Sequence, residues 1–240
     1  MAMDGQRVVL LGGTSGIGLA VAKAVARAGA LPIVISSKPE RIKAALEALP
    51  SSAKGFVLDL RDETAIRDTF PQIGPFDHLV FTAGESLTIG QVADLPVEDA
   101  KRFFDVRFWG AFAAVKHGAP LIRPGGSIVL TSGIAAVRPP QDGWTLGASV
   151  CAAMEGLTRA LALELKPIRV NIVSPGFVRT PLWSDIPEPE REAMYAAAGE
   201  RLPVGRIGSP EDVAEAYLFL MRQAFATGQT LVVDGGGLVS

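Results

Sequence analysis

A glycine-rich turn near the amino terminus is the segment whose residue types and spacing point most directly to chemistry. An apolar run at Arg7–Leu11 leads into Gly12, Gly16 and Gly18, and a helical pattern follows. Glycines allow a tight turn and let the backbone approach a ligand closely, while the amino end of a helix attracts negative charge. Because a strand precedes the turn and a helix follows it, the pattern predicts a site for the pyrophosphate of a dinucleotide. The other candidate contacts in this turn are Thr14, Ser15 and Ile17.

The elements that must hold this turn repeat along the whole chain. Short apolar runs alternate with longer segments of helical spacing. The predicted strands are Arg7–Leu11, Leu31–Ser36, Gly55–Asp59, His78–Thr82, Gly126–Thr131, Arg169–Val173 and Thr230–Asp234. This alternation predicts the α/β class: a single doubly wound Rossmann-fold domain over residues 1–240, with a seven-stranded parallel sheet and helices on both faces. A proline-rich segment at about residues 175–203 is predicted to be a lid or substrate loop.

Composition narrows the classes of partner. The 240 residues carry 23 Lys+Arg against 25 Asp+Glu, a net charge of −2, and 48% are hydrophobic, which argues against a nucleic-acid binder and against disorder. The longest stretch without charge, Val8–Ala22, is shorter than the roughly 20 residues of a membrane span. One cysteine, Cys151, excludes an intrachain disulfide. We therefore expect a cytoplasmic protein with a small-molecule substrate, no nucleic-acid or membrane partner and no metal.

Further segments complete a resemblance to a known family. The spacing of Gly12, Gly16 and Gly18 is similar to that of the short-chain dehydrogenase/reductase (SDR) family. Other family segments follow in the family's order: Asp59, Ala83-Gly84, NIVSPGFVRT at 171–180 and GQTLVVDGG at 228–236. The resemblance covers almost the whole chain and implies a nicotinamide cofactor and oxidoreduction of a carbonyl or alcohol.

The resemblance also implies which residues bind the cofactor. In the family, the residue matching Asp59 binds the adenine and the pair matching Ala83 and Gly84 lines the adenine ribose side. The segment matching 175–180 borders the nicotinamide. The implied contacts are Asp59, Leu60, Ala83, Gly84, Pro175, Gly176, Val178 and Thr180.

The end of the second predicted strand bears on the choice of cofactor. A carboxylate there would bind the ribose 2′-hydroxyl of NAD, but this chain has Ser36, Ser37 and Lys38. Two hydroxyls and an ammonium are donors for a 2′-phosphate, which favours NADP (NADPH) over NAD. The alternative is that Lys38 is only a solvated residue at a helix start.

The proton-transfer residues of the family are missing. The family uses a Tyr and a Lys four residues later on one helix face, and the matching positions here are Gly147 and Cys151. The position of the family's Asn is occupied by Arg107, and the family's Ser falls at Ser132 or Gly133. The chain therefore resembles an atypical member without the family's Tyr and Lys.

Two residues are candidates for a replacement site. We expect the Arg107 guanidinium and the Ser132 hydroxyl to form a catalytic anion or oxyanion site beside the nicotinamide. The alternative for Arg107 is a salt bridge to Asp105 or Asp99. Cys151, in a run of small residues, is expected to pack as a small apolar side chain and not to act as a nucleophile.

The nearby aromatic residues and the helix faces give the remaining expectations. Trp144, Phe177, Leu182 and Trp183 are expected to fill or line the space that Gly147 leaves. Their apolar character points to an apolar or aromatic substrate. The chain is thus predicted to be an NADP(H)-binding oxidoreductase acting on a carbonyl or alcohol, or on an activated C=C or C=N bond. The alternative is a catalytically silent NADP(H) sensor or regulatory protein. Two long helices are predicted at Val97–His117 and Leu146–Leu165, and apolar residues on more than one face of each predict a homotetramer or homodimer.

Overall fold

One parallel sheet organises the protein. The structure, a computed structural model, describes residues 3–140 and 142–240. The strands are β1 (Arg7–Leu11), β2 (Leu31–Ser36), β3 (Lys54–Val57), β4 (Phe76–Phe81), β5 (Ile122–Thr131), β6 (Arg169–Pro175) and β7 (Thr230–Val233). All pairings are parallel and the strand order is β3-β2-β1-β4-β5-β6-β7. The order reverses between β1 and β4, which confirms the predicted doubly wound sheet.

Helices cover both faces of the sheet. They are α1 (Gly16–Arg27), α2 (Pro39–Glu47), α3 (Glu63–Ile73), α4 (Val97–Phe104), α5 (Ala111–Gly118), α6 (Thr145–Glu164), α7 (Glu188–Arg201) and α8 (Pro210–Arg222). Val8 and Leu10 of β1 pack with α1 and α8, whereas Val9 and Leu11 pack with α3, α5 and α6. Successive side chains of a strand point to opposite faces, so β1 contributes to two hydrophobic cores.

The predicted single helix over Val97–His117 is wrong in its middle. Helix α4 ends at Phe104, a π-helical turn occupies Asp105–Gly110, and α5 begins at Ala111. Gly110 lies against the segment that follows β3. A Cβ atom at position 110 would come within 2.8 Å of the Leu60 carbonyl oxygen. Single π-helical turns inside helices frequently occur at functional sites, and this one carries Arg107.

The predicted lid segment is anchored by two aromatic residues. After β6 ends, a 3-10 turn at Pro181–Trp183 is followed by α7. Trp183 and Tyr195 are both buried. The movement of this segment as a lid stays a prediction, as does the assignment of residues 1–240 to one domain.

Helix α6 has the length and composition of a membrane-crossing helix. It packs along β6 and against the sheet, and its buried residues include Val150, Met154 and Leu161. By these contacts α6 is part of the core that supports the site.

Candidate active site

The turn between β1 and α1 has the backbone shape of a phosphate cradle. Gly12 and Gly16 have φ values of +87° and +49°. A Cβ atom at Gly12 would lie 2.6 Å from the Ala83 backbone nitrogen, and one at Gly18 would overlap the Gly12 carbonyl oxygen. The N-cap residue Ser15 makes no side-chain capping bond, which leaves the first N–H groups of α1 for an anion. The residues present therefore fit a dinucleotide pyrophosphate.

The segment after β6 lies beside this turn. A Cβ atom at Gly16 would lie 3.5 Å from Thr180 Cβ, and one at Gly176 would lie 2.6 Å from Asp234 Cα. Asp234 accepts hydrogen bonds from the Gly236 and Leu238 backbone nitrogens, which fixes the chain after β7. The structure thus brings the predicted nicotinamide segment to the glycine turn at the carboxyl edge of the sheet.

The end of β2 offers hydroxyls and an ammonium to solvent. Ser37 and Lys38 are exposed, and the Ser36 hydroxyl accepts a bond from the Lys38 backbone nitrogen over 3.4 Å. Lys38 is also the N-cap residue of α2, where the helix dipole favours an anion. Among the described residues, no ion pair involves Lys38.

Asp59 is engaged by a neighbour that sequence reasoning missed. The Arg61 side chain donates to both carboxylate oxygens of Asp59, from Nε over 3.0 and 3.2 Å and from Nη2 over 2.8 Å. These hydrogen bonds hold the pKa of the Asp59 carboxyl below its ordinary value. Arg61 also lies 3.6 Å from the Glu85 carboxylate, so it links the ends of β3 and β4. Leu60 is buried and lies against Gly110 of the π-helical turn.

Arg107 points inward from the π-helical turn. Its Nη2 donates to the Glu85 carbonyl oxygen, and its guanidinium carbon lies 4.3 Å from the centroid of the Phe103 ring. A Cβ atom at Gly84 would touch the guanidinium at 3.4 Å. The Nη1 atom is buried and has no hydrogen-bond partner in the part of the chain that the structure describes. Burial lowers the pKa of Arg107 from its ordinary value.

The surface salt bridge considered for Arg107 does not form among the described residues. Asp99 pairs with Arg102 on the exposed side of α4. No ion pair joins Arg107 to Asp105 or Asp99 in 3–140 and 142–240. The Arg107 guanidinium instead packs against Gly84 after β4, and its Nη1 remains a donor without a partner among the described residues.

Ser132 lies at the end of β5 against α6. Its hydroxyl oxygen is 3.1 Å from the Cys151 carbonyl oxygen and 3.1 Å from Glu155 Oε1. Burial raises the pKa of the Cys151 thiol to about 11, against the lowering effects of Ser132 and the Arg107 charge. The thiol is therefore protonated near neutral pH and is a poor nucleophile.

Aromatic side chains surround the position where the resemblance places a tyrosine. A Cβ atom at Gly147 would lie 2.9 Å from Trp144 Cε3. The Trp144 and Trp183 ring centroids are 6.2 Å apart, and Phe177 lies 4.8 Å from Trp183. The Trp183 Nε1 donates to the Val178 carbonyl oxygen over 3.0 Å, which ties the ring to the segment after β6. The cluster thus packs against α6 at the position of Gly147.

Neither tyrosine replaces the missing donor. Tyr217 on α8 is fully buried, with its hydroxyl 2.6 Å from Thr131 Oγ1, and burial raises its pKa. Tyr195 on α7 packs on Phe177 and under Arg179. His78 is buried, with Nδ1 2.8 Å from Ser127 Oγ.

Two features of the site were not anticipated from the sequence. Glu155 follows Cys151 by four residues, a spacing that places both on one helix face and could have indicated a shared site. Arg61 follows Asp59 by two residues, and this spacing does not by itself indicate that the two side chains share a site.

The fold and the site together define a Rossmann-type nucleotide-binding protein. The family model described as Enoyl-(Acyl carrier protein) reductase matches residues 12–237. The chain is 35% identical to the short-chain dehydrogenase/reductase malC of Malbranchea aurantiaca, over 99% of this chain and 96% of that protein. It is 32% identical to the 3-oxoacyl-[acyl-carrier-protein] reductase FabG of Thermotoga maritima, over 98% and 99% of the two chains. The chain belongs to the short-chain dehydrogenase/reductase family of oxidoreductases.

Solved structures give the same assignment. A small-chain dehydrogenase in complex with NADPH is 40% identical and superimposes with a TM-score of 0.87, covering 99% of this chain and 100% of that one. The MalC Reductase/Diels-Alderase from Malbranchea aurantiaca is 34% identical with a TM-score of 0.92, covering 99% and 98%. Both likenesses extend over the whole sheet and the glycine turn.

Proposed function

We propose that this protein is an NADP(H)-dependent oxidoreductase that acts on an apolar or aromatic small molecule through a non-standard active site. The reacting group is a carbonyl or alcohol, or an activated C=C or C=N bond. The observation that carries this proposal is the Arg107 guanidinium, which packs against Gly84 after β4 and whose charge acts on the Cys151 thiol. Its Nη1 is buried and has no partner among the residues that the structure describes. A buried donor without a partner is costly, and a ligand acceptor would satisfy it.

The proposed cofactor contacts follow the carboxyl edge of the sheet. The glycine turn holds the pyrophosphate, and Ser36, Ser37 and Lys38 hold a 2′-phosphate, which favours NADP over NAD. Asp59 and Leu60 bound the adenine, and Ala83 and Gly84 bound its ribose. The NADPH complex of the 40% identical relative supports a nicotinamide cofactor at this edge.

The bound nicotinamide supplies or accepts the hydride. Arg107 holds the substrate oxygen or anionic group by an N–H bond and favours developing negative charge there. Ser132 fixes the orientation of the reacting group, while Trp144 and Trp183 exclude water and pack on the substrate. Gly147 has no proton to give, and the Cys151 thiol with its raised pKa is a weak acid. The proton that completes a reduction therefore comes from solvent water, and the proton released in an oxidation returns to it.

The relatives include reductases of more than one kind. One relative is a 3-oxoacyl-[acyl-carrier-protein] reductase, and another is a reductase and Diels-Alderase. An active site without the family's phenol suits substrates in which hydride delivery matters more than proton donation, such as activated C=C or C=N bonds.

A catalytically silent NADP(H) sensor is the second candidate. It is favoured by the side chains at positions 147 and 151, where Gly and Cys leave no phenol and no ammonium. In that case the nucleotide site is retained for binding and Arg107 serves a bound effector.

We also propose that the protein assembles as a homotetramer or homodimer in the cytoplasm. Trp109 and Phe112 are exposed on the π-helical turn and on α5, with their rings 6.4 Å apart. Such a patch is typical of an interface.

Substrate-dependent NADPH oxidation separates the two candidates. The purified protein is screened with aromatic diketones, enones and imines while NADPH absorbance is followed. The oxidoreductase requires oxidation with at least one class. Micromolar NADPH binding without oxidation by any class contradicts it and supports the sensor.

A further inference from the structure

The Ser132 hydroxyl lies between two hydrogen-bond acceptors. Its oxygen is 3.1 Å from the Cys151 carbonyl oxygen and 3.1 Å from Glu155 Oε1. A backbone carbonyl and a carboxylate both accept and do not donate, and a hydroxyl has one proton. That proton is committed to these acceptors, and what remains on Ser132 for a ligand is a lone pair.

We propose that Glu155 fixes Ser132 as a hydrogen-bond acceptor, so that the substrate group bound there carries a hydrogen, as a hydroxyl or N–H group does. The proposal rests on the oxidoreductase function proposed above and deepens it, because it defines the chemistry of the group that the site recognises. Glu155 is a positioning residue, since it acts through Ser132.

The spacing along α6 places Glu155 on the face that matters. Gly147, Cys151 and Glu155 are four residues apart and share one side of the helix. Glu155 is partly buried, and its charge contributes to raising the pKa of the Cys151 thiol. The carboxylate therefore belongs to the inner side of the site and not to the solvent-facing side of α6.

Arg107 offers a hydrogen-bond donor, whereas Ser132 offers an acceptor. Its Nη1 is a buried donor without a partner, and its charge also acts on the Cys151 thiol. A hydroxyl both donates and accepts, so an alcohol can donate to Ser132 and accept from Arg107. A ketone oxygen accepts only, and it faces the Ser132 lone pair without a hydrogen bond.

A matched pair of ligands tests this polarity. Acetophenone and 1-phenylethanol present a bare and a hydrogen-bearing oxygen on the same aromatic frame. Their binding is measured by tryptophan fluorescence with a saturating, unreactive tetrahydro analogue of NADPH. The wild-type protein is expected to bind the alcohol roughly tenfold more tightly than the ketone, the effect of about one hydrogen bond.

Three variants assign the preference to the Glu155 oxygen. Glu155→Leu removes the charged acceptor and leaves the Ser132 proton only the weaker bond to the Cys151 carbonyl oxygen. A ketone can then compete for that proton, so the ratio of the two dissociation constants is expected to fall toward one. Glu155→Gln keeps an acceptor oxygen and therefore keeps most of the preference. Glu164→Leu, at the exposed end of the same helix, leaves the ratio unchanged.

The single cysteine gives a second readout that needs neither cofactor nor substrate. The rate of iodoacetamide labelling of Cys151 follows the amount of its thiolate. Burial raises the pKa of this thiol to about 11, and the nearby Glu155 charge adds a smaller effect in the same direction. Both Glu155→Gln and Glu155→Leu are expected to shift the labelling profile to lower pH, and Glu164→Leu is not.

Two results would overturn the proposal: an unshifted labelling profile in both Glu155 variants, or an unchanged ligand ratio in Glu155→Leu. A wild-type protein that binds no nicotinamide cofactor overturns the proposed function instead. The labelling profile then still decides whether Glu155 lies at Ser132 and Cys151.

Discussion

The Trp144 indole lies directly against the backbone of Gly147. A Cβ atom at Gly147 would lie 2.9 Å from Trp144 Cε3, which is closer than real Cβ atoms approach other atoms. The space where the family resemblance places a phenol is therefore closed to larger side chains while Trp144 keeps this position. Loss of the family's tyrosine and placement of the tryptophan are coupled by packing.

Restoring a tyrosine at this position is expected to destabilise the protein. Gly147→Tyr forces the new side chain into the Trp144 ring, and overpacking of this kind costs roughly 1–3 kcal/mol. Adding Trp144→Gly removes the clash, so the double variant regains stability and the two changes are strongly non-additive. Urea unfolding of the four proteins measures the coupling. A Gly147→Tyr single variant as stable as wild type contradicts the observed packing.

Removing the Arg107 guanidinium is expected to lower turnover without lowering the stability of the fold. Arg107→Met should lower turnover on the order of a hundred- to a thousandfold, as for the loss of an oxyanion donor. Because Nη1 is buried and unpaired, an apolar side chain of similar length should leave the free energy of unfolding equal or higher. The measurements are kcat/KM and the urea midpoint.

Arg102→Met is the matched control for this change. Arg102 lies on the exposed side of α4 and pairs with Asp99, so its loss should change neither quantity. If Arg107→Met retains full turnover, or loses stability and turnover together, the guanidinium is structural and the proposed anion site is wrong.

Charge reversal at Lys38 is expected to shift cofactor preference. Lys38→Glu places a carboxylate where the 2′-phosphate of NADP is proposed to bind, and should reduce the NADPH to NADH affinity ratio by at least about tenfold. Lys43→Glu makes the same charge change elsewhere on α2 and should leave the ratio nearly unchanged. Calorimetric titration with both cofactors gives the ratio. Equal effects of the two variants would show that Lys38 acts only through the overall electrostatic field of the protein and not through contact with the 2′-phosphate.

Acid is expected to destabilise the fold through His78. Burial lowers the pKa of His78 from 6.5 to about 4, with Asp77 opposing the shift. Between those values the unfolded chain binds a proton that the folded chain does not, so stability falls as the pH is lowered from about 6.5 to 4. The loss attributable to His78 is about 3 kcal/mol.

Unfolding measurements at several pH values isolate this contribution. His78→Gln removes the titrating group, so its stability should fall less than that of wild type over the same interval. Identical slopes for wild type and His78→Gln would assign the acid sensitivity to other groups.

The sequence predicted those features that depend on local pattern. The continuous apolar runs gave the seven strands within a few residues, because strands covered on both faces need no polar alternation. Gly12, Gly16 and Gly18 were recognisable because a strand before them and a helix after them define their context. The doubly wound arrangement with helices on both faces followed from the alternation of strands and helices along the chain.

Features that depend on packing between distant segments were not predictable in this way. The π-helical turn at Asp105–Gly110 lies inside a pattern that reads as one helix, and its position depends on the approach of Gly110 to Leu60. The contact of Ser132 with Glu155 joins residues on a strand end and a helix, and no local spacing relates them. The inward direction of Arg107 likewise depends on the Phe103 ring beneath it.

Calorimetric titration of NADPH into the purified protein tests the central claim most directly. Binding is predicted in the micromolar range, with NADPH preferred over NADH. Gly18→Ala should abolish it, because the added methyl overlaps the Gly12 carbonyl and lies 2.5 Å from Thr82 Oγ1, whereas Gly156→Ala on α6 meets no atom within 4 Å and should bind as wild type does. Absence of heat with either cofactor, from wild-type protein shown to be folded, would contradict the account.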